Sequence, residues 1–195
     1  STLLASSAAS DVYKRQDYIY ESRTEYDIDG KKNFDIKLGG AYAVDLKAYH
    51  GEKIEVAMFS NVYKNLMADY KVKIDDIKNR IDIDLNRFNE ASEADAKESL
   101  VITIFIPVKY IGKIELSVNA GTLNITDIEN EHIEVNGKIS EVTLQGNKSE
   151  IEIDSNLDMQ ISVLSHEGAL EINQLSATSR PVSYTHLTLP TKLEV

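Results

Sequence analysis

The sequence predicts an all-β protein, with a strand lobe followed by a short two-walled parallel β-solenoid of the right-handed β-helix-like kind. Three observations predict it. Residues 17 to 86 alternate apolar and polar with period two, as half-buried strands do. Further on, an aliphatic–polar–aliphatic triplet recurs seven times at intervals of 9 or 10 residues: IEL, LNI, IEV, VTL, IEI, ISV and LEI, starting at Ile114, Leu123, Ile133, Val142, Ile151, Ile161 and Leu170. Turn-forming residues fall between the triplets, among them Gly121, Asn136-Gly137, Gly146-Asn147, Asp154-Ser155 and Gly168.

In the first half the expected strands are Thr24 to Ile28, Asn33 to Leu38, Tyr42 to Tyr49, Lys53 to Phe59, Tyr70 to Ile74 and Lys78 to Leu85. Asp29-Gly30, Gly39-Gly40 and His50-Gly51 are expected to turn the chain between them. Asn61 to Ala68 reads as a helical turn or loop, and NRFNEASEADAKE (residues 86 to 98) as a solvated loop or short helix. Leu100 to Ile106 is almost wholly apolar and ends at Pro107, which cannot donate to a ladder; it suits a strand buried on both faces.

The triplets fall into two series when every second one is taken: Ile114, Ile133, Ile151 and Leu170, and then Leu123, Val142 and Ile161. A near-constant period of this length points to stacked coils, each burying its apolar face only against its neighbours. An antiparallel β-sandwich built from a meander is the alternative, since the same alternation allows it.

The two ends read as foreign. DVYKRQ (Asp11 to Gln16) back-translates as GAT GTG TAT AAG AGA CAG, and its reverse complement, read two bases in, encodes Val-Ser-Tyr-Thr-His, found at residues 182 to 186. One DNA tag translated on both strands accounts for both, and it resembles the transposase mosaic end used in sequencing libraries. The expected organisation is therefore 1–16 tag, 17–98 strand lobe and linker, 99–179 solenoid and 180–195 tag, in a frame assembled from metagenomic DNA. On that division the last coil lacks a polar cap and is expected to self-associate.

Residues 17 to 179 hold 17 Lys and Arg against 30 Asp and Glu, a net charge of −13. Such a field opposes nucleic acid and anionic membranes. Cysteine is absent, which excludes a disulfide framework, a thiol nucleophile and a thiolate metal site. The sequence has no apolar run of the roughly 20 residues that span a bilayer.

Three stretches carry a family resemblance: NFDIKLGGAYAVDLKAYHGEKIEV, SLVITIFIPVKYIGKIELSVNAG and GTLNITDIENEHIEVNGKISEVTLQG. Over about Asn33 to Ser176 the chain resembles a bacterial domain-of-unknown-function family of putative adhesins. The most specific part is the strand ending in Ile106-Pro107 and leading into IELSVNAGTLNI. The resemblance implies a parallel β-helical stack behind a few strands, and no catalytic motif to carry over. The chain departs from the family pattern in placing Asn and Asp at coil turns where Gly is usual.

Sorting the outward residues by wall yields two faces. The first carries Glu115, Glu134, Glu152 and Glu171, a carboxylate ladder flanked by Ser117, Asn136, Asp154 and Asn173 on one side and Lys113, His132, Glu150 and Ala169 on the other. It is either a solvated wall or a surface for calcium, which takes oxygen ligands, or for a cationic partner. The second carries Asn124, Thr143 and Ser162, with Thr122, Thr126 and Gln145, a neutral surface suited to carbohydrate or to another sheet. Tyr18, Tyr20, Tyr26, Tyr42, Tyr49, Tyr63 and Tyr70 form a further recognition candidate, or else edge the lobe.

Enzymatic signals are weak. His50, His132 and His166 are scattered, lack metal-ligand spacing and read as surface or turn residues. Asp75 and Asp76 point to opposite faces of a strand, whereas Asp82 and Asp84 share the outward one; neither pair implies a cleft. No catalytic or cofactor-binding residue is assigned. The reading is a noncatalytic bacterial cell-envelope or surface module that binds or scaffolds, its ligand an unknown protein or carbohydrate. A regulatory module of an envelope-stress type, membrane-proximal or cytoplasmic, is the alternative, and a carbohydrate-active β-helix enzyme a third reading.

Overall fold

A computed structural model describes residues 20–28, 32–61, 66, 70–87, 92–174, 182–184 and 193–194. The chain is all-β, with one short helix among these residues. The strands are β1 (Tyr20–Asp27), β2 (Asn33–Tyr49), β3 (Lys53–Ser60), β4 (Tyr70–Ile77) and β5 (Arg80–Arg87). Helix α1 (Ser92–Ser99) follows, then β6 (Val101–Pro107), β7 (Ile114–Thr126), β8 (Glu129–Ser155), β9 (Gln160–Glu167) and β10 (Leu170–Gln174). Val182–Tyr184 (β11) and Leu193–Glu194 (β12) complete a mixed 12-stranded sheet.

The triplet repeat becomes stacked parallel strands. Ile114 pairs with Ile133, Leu123 with Val142, Val142 with Ile161 and Ile151 with Leu170. These contacts are parallel, so the antiparallel meander does not describe the repeat. Every outer aliphatic of the seven triplets is buried and every middle residue is half-buried or exposed. A one-residue slip would turn each aliphatic to the opposite face, which is why so regular a pattern holds one register.

The stack begins earlier than the seven triplets do. In β2, Phe34 pairs with Ile114 and Val44 with Leu123, so Phe34-Asp35-Ile36 and Val44-Asp45-Leu46 form the level before them. Gly39-Gly40, expected to end a strand, instead lies inside one continuous strand. There the register against β7 shifts, and the partner on the other side changes from β5 to β6. Two arms of the sheet result. One runs through β4, β5 and the first half of β2; the other through β1, β3, β6 and the second half. Long β7 and β8 serve both arms, and β8 hands its central part to β9 and its last part to β10.

The aliphatics of both arms form a single cluster that includes Phe34, Leu46, Ile104, Leu116, Leu144 and Ile153, each at most 1% exposed. At roughly 25 cal/mol per Å² of apolar area, this cluster dominates the favourable side of folding. Strand β6 is buried at all seven positions, as its unbroken apolar run predicts. Its even residues join the main core, and Val101 and Phe105 pack with Ala43, Ala57 and Phe59 in a second cluster on the opposite face.

The corners repeat as well. Asp127, Gly146 and Ser165 have φ of 57°, 68° and 64°, and each is followed by a buried residue: Ile128, Asn147 and His166. Asn147 ties its level to the previous one, accepting from the Ile128 amide at 2.9 Å and donating to the Ile125 carbonyl at 2.8 Å. His166, expected at a surface or turn, stands at such a turn but fully buried. Among the described residues both its ring nitrogens are buried without a hydrogen-bond partner, and burial pushes its pKa down, against the pull of the Glu167 charge.

Strands β11 and β12 fall in the segment expected to be tag. They pair antiparallel with β10 and β9, so in the whole chain the edges of the last level are partnered at these positions.

Candidate binding faces

The acidic face is assembled by register. Strand pairing sets Glu115 beside Glu134 and Glu152 beside Glu171, and donor atoms of Glu134 and Glu152 come within 4.8 Å. The four expected residues therefore make one row. The row is longer than expected: Asp35 pairs with Glu115, Asp82 with Asp35, and Asp75 with Asp82. At its older end cations are supplied, since Arg80 Nε lies 2.5 Å from Asp82 and Lys73 Nζ 3.5 Å from Asp75. Among the described residues Glu115, Glu134, Glu152 and Glu171 have no ion pair. Burial raises the pKa of Glu152, and the charges of Asp154, Glu171 and Glu134 raise it further, with His132 opposing.

The flanking columns also form. Ser117 pairs with Asn136, and Asn173 Nδ2 donates to Asp154 at 2.6 Å. On the other side His132 Nδ1 is 3.9 Å from Glu150.

The neutral face is assembled in the same way, with Asn124 beside Thr143 and Thr143 beside Ser162, all half-buried. Its unexpected member is Asp45, which pairs with both Thr103 and Asn124. Asp45 points outward by alternation, yet it is only 2% exposed. Asn124 Nδ2 donates to its Oδ1 at 2.9 Å, and Oδ2 has no hydrogen-bond partner. Burial lifts its pKa to about 6, against the Asn124 bond, the Lys47 charge and the Thr103 bond. The signal for Asp45 lay in Val44-Asp45-Leu46, a triplet of the repeat type separated from the others by intervening strands.

A pH dependence follows. A carboxyl whose folded pKa is raised adds stability below its unfolded pKa, near 4, and loses it as pH rises through about 6. Asp45→Asn should remove that slope between pH 4 and 6. At pH 7 it should raise unfolding stability by about 2 kcal/mol, since one pKa unit is about 1.4 kcal/mol and the new amide leaves one donor unpaired. Urea unfolding at pH 4.5 and 7 measures both; equal or lower stability of the variant at pH 7 would refute the assignment.

The remaining candidates separate. Tyr70 is a core residue at 1% exposed, Tyr49 packs on Phe105, and Tyr42 is exposed, so these three form no common patch. The side chains of Tyr18, Tyr20 and Tyr63 lie outside the described residues, as does most of Asn61 to Ala68. Asp82 and Asp84 face outward between buried Ile81, Ile83 and Leu85, and Asp76 is held by Lys32 at 2.6 Å. No helix among the described residues is long and apolar enough to cross a membrane.

Fold and faces together define an all-β protein whose repeat strands stack parallel, one beside the next, with two unlike outward surfaces. It shares its fold with a solved putative cell adhesion protein from Clostridium sporogenes, at a TM-score of 0.50 and 8% identity over 78% of this chain and 76% of that one. Weaker likenesses are to putative adhesins from Parabacteroides merdae (TM-score 0.38, 11% identity, 77% and 60% covered) and Bacteroides fragilis (0.32, 12%, 82% and 94%). No protein-family model and no curated protein matches the sequence. The resemblance to putative adhesins is thus met at the level of fold.

Proposed function

We propose that the chain is a noncatalytic, adhesin-like binding or scaffolding module of a bacterial cell surface or envelope, its stacked strands forming a two-walled parallel β-solenoid. The observation that supports this is the unvarying register of the repeat, which spreads chemically uniform rows over extended faces instead of gathering groups at one point. Uniform rows suit a ligand that is itself repetitive. The neutral face, with amide and hydroxyl groups at Asn124, Thr143 and Ser162, suits a polysaccharide; the acidic face keeps the module soluble and repels anionic surfaces.

The test is retention of the protein on purified bacterial cell-wall polysaccharide. Lysines at Asn124, Thr143 and Ser162 together are expected to abolish retention, and Glu115→Lys with Glu171→Lys to leave it. Absence of retention for the unaltered chain, or equal loss in both variants, defeats the carbohydrate reading. Release of shortened glycan would support the enzymatic one.

A further inference from the structure

One node of the acidic face differs in chemistry from the rest of its row. His132 and Glu134 are two residues apart on β8, so their side chains leave the same face. Glu150 and Glu152, also two apart, stand beside them on the later part of the same strand, making a square of four side chains. Donor atoms of His132, Glu134 and Glu152 all lie within 4.8 Å of one another, and Glu150 Oε2 is 3.9 Å from the imidazole.

We propose that His132, Glu134 and Glu152 bind a divalent transition-metal ion of the zinc type, with Glu150 as a fourth donor. Imidazole nitrogen and carboxylate oxygen are both zinc donors, with bonds of about 2.0–2.2 Å. Four such bonds at tetrahedral angles place donors roughly 3.4 Å apart. The backbone already holds the four residues at neighbouring sheet positions, so turning the flexible Glu side chains supplies the remaining approach. The ion also supplies positive charge to a stretch where Glu134 and Glu152 have no ion pair among the described residues. Calcium is the poorer match, because it takes six to eight oxygen ligands and gains little from an imidazole. The node is singular within the repeat: Lys113 stands two residues before Glu115 and Ala169 two before Glu171, where His132 and Glu150 stand here.

The experiment is titration of the full chain, without a polyhistidine tag, by Co2+ and Zn2+. Visible d–d absorption of cobalt and calorimetry of zinc are the readouts. One equivalent is expected to bind, with zinc displacing cobalt and equimolar calcium failing to do so. His132→Ala and Glu152→Gln should each weaken zinc binding at least ~tenfold, and Glu171→Gln, which removes a charge beside Glu152 but no donor of the cluster, should weaken it clearly less. Circular dichroism establishes that each variant is folded, and the imidazole proton resonances of the unaltered protein should move on adding zinc. Lack of saturable binding, undiminished binding in His132→Ala, or an equal loss in Glu171→Gln overturns the site. Displacement of cobalt by equimolar calcium overturns the choice of ion. None of these outcomes depends on a polysaccharide ligand.

Discussion

Replacing Gly137 by alanine is expected to cost about 3 kcal/mol or more of unfolding free energy. Gly137 sits where β8 passes from one arm of the sheet to the other, with φ of 148°, a conformation that side chains rarely adopt. A Cβ there would lie 1.7 Å from the carbonyl oxygen of Val118 and 2.8 Å from its carbon. Both atoms belong to the backbone of the neighbouring level, Val118 being the strand partner of Gly137, so relief requires the two levels to separate. Gly39→Ala is the control: its Cβ would meet nothing nearer than a Tyr70 ring carbon at 3.8 Å. Urea denaturation of both variants measures the difference. A loss below 1 kcal/mol for Gly137→Ala would mean that the levels are not packed so closely.

Leu144→Ala should cost a similar amount, about 3 kcal/mol within the usual 2–5 range for a buried leucine. Leu144 is fully buried, paired with Ile125 on one side and Val163 on the other, and both partners face the same core. Close packing on both sides leaves little room for collapse around the cavity. Its neighbour Thr143 faces outward, and Thr143→Ala should cost less than ~1 kcal/mol. The pair reads the register directly. A strand slipped by one residue would reverse the two costs, and equal costs would exclude a one-sided core at this level.

Why the repeat could be read and other features could not comes down to what each residue type reveals. At Ile133, Val142 and Ile151 the aliphatic side chain and its inward position carry the same information, so the sequence alone places them. Phe34-Asp35-Ile36 and Val44-Asp45-Leu46 carry the same pattern, but β3 to β6 separate them from the next triplet and hide the period. Gly39-Gly40 has turn chemistry and marks the register shift within β2; composition cannot say whether the strand continues through it. The corner column Ile128, Asn147 and His166 shares a position and no chemistry, so His166 could not be recognised as buried from its type. The four glutamates of the acidic row were legible from alternation alone. Its extension through Asp35, Asp82 and Asp75, and the meeting of His132 with Glu152, depend on pairings between strands far apart in sequence.

The corner residues Asp127, Gly146 and Ser165 follow one another at intervals of 19. Excising Ile128 to Gly146 would join Asp127 to Asn147, carrying the chain from one corner to its equivalent with its direction and facing unchanged. The molecule is in that sense graduated like a ruler. Genetic change can lengthen or shorten it by whole divisions, and each division brings its own portion of both surfaces, so reach and number of contacts would vary together without a new fold.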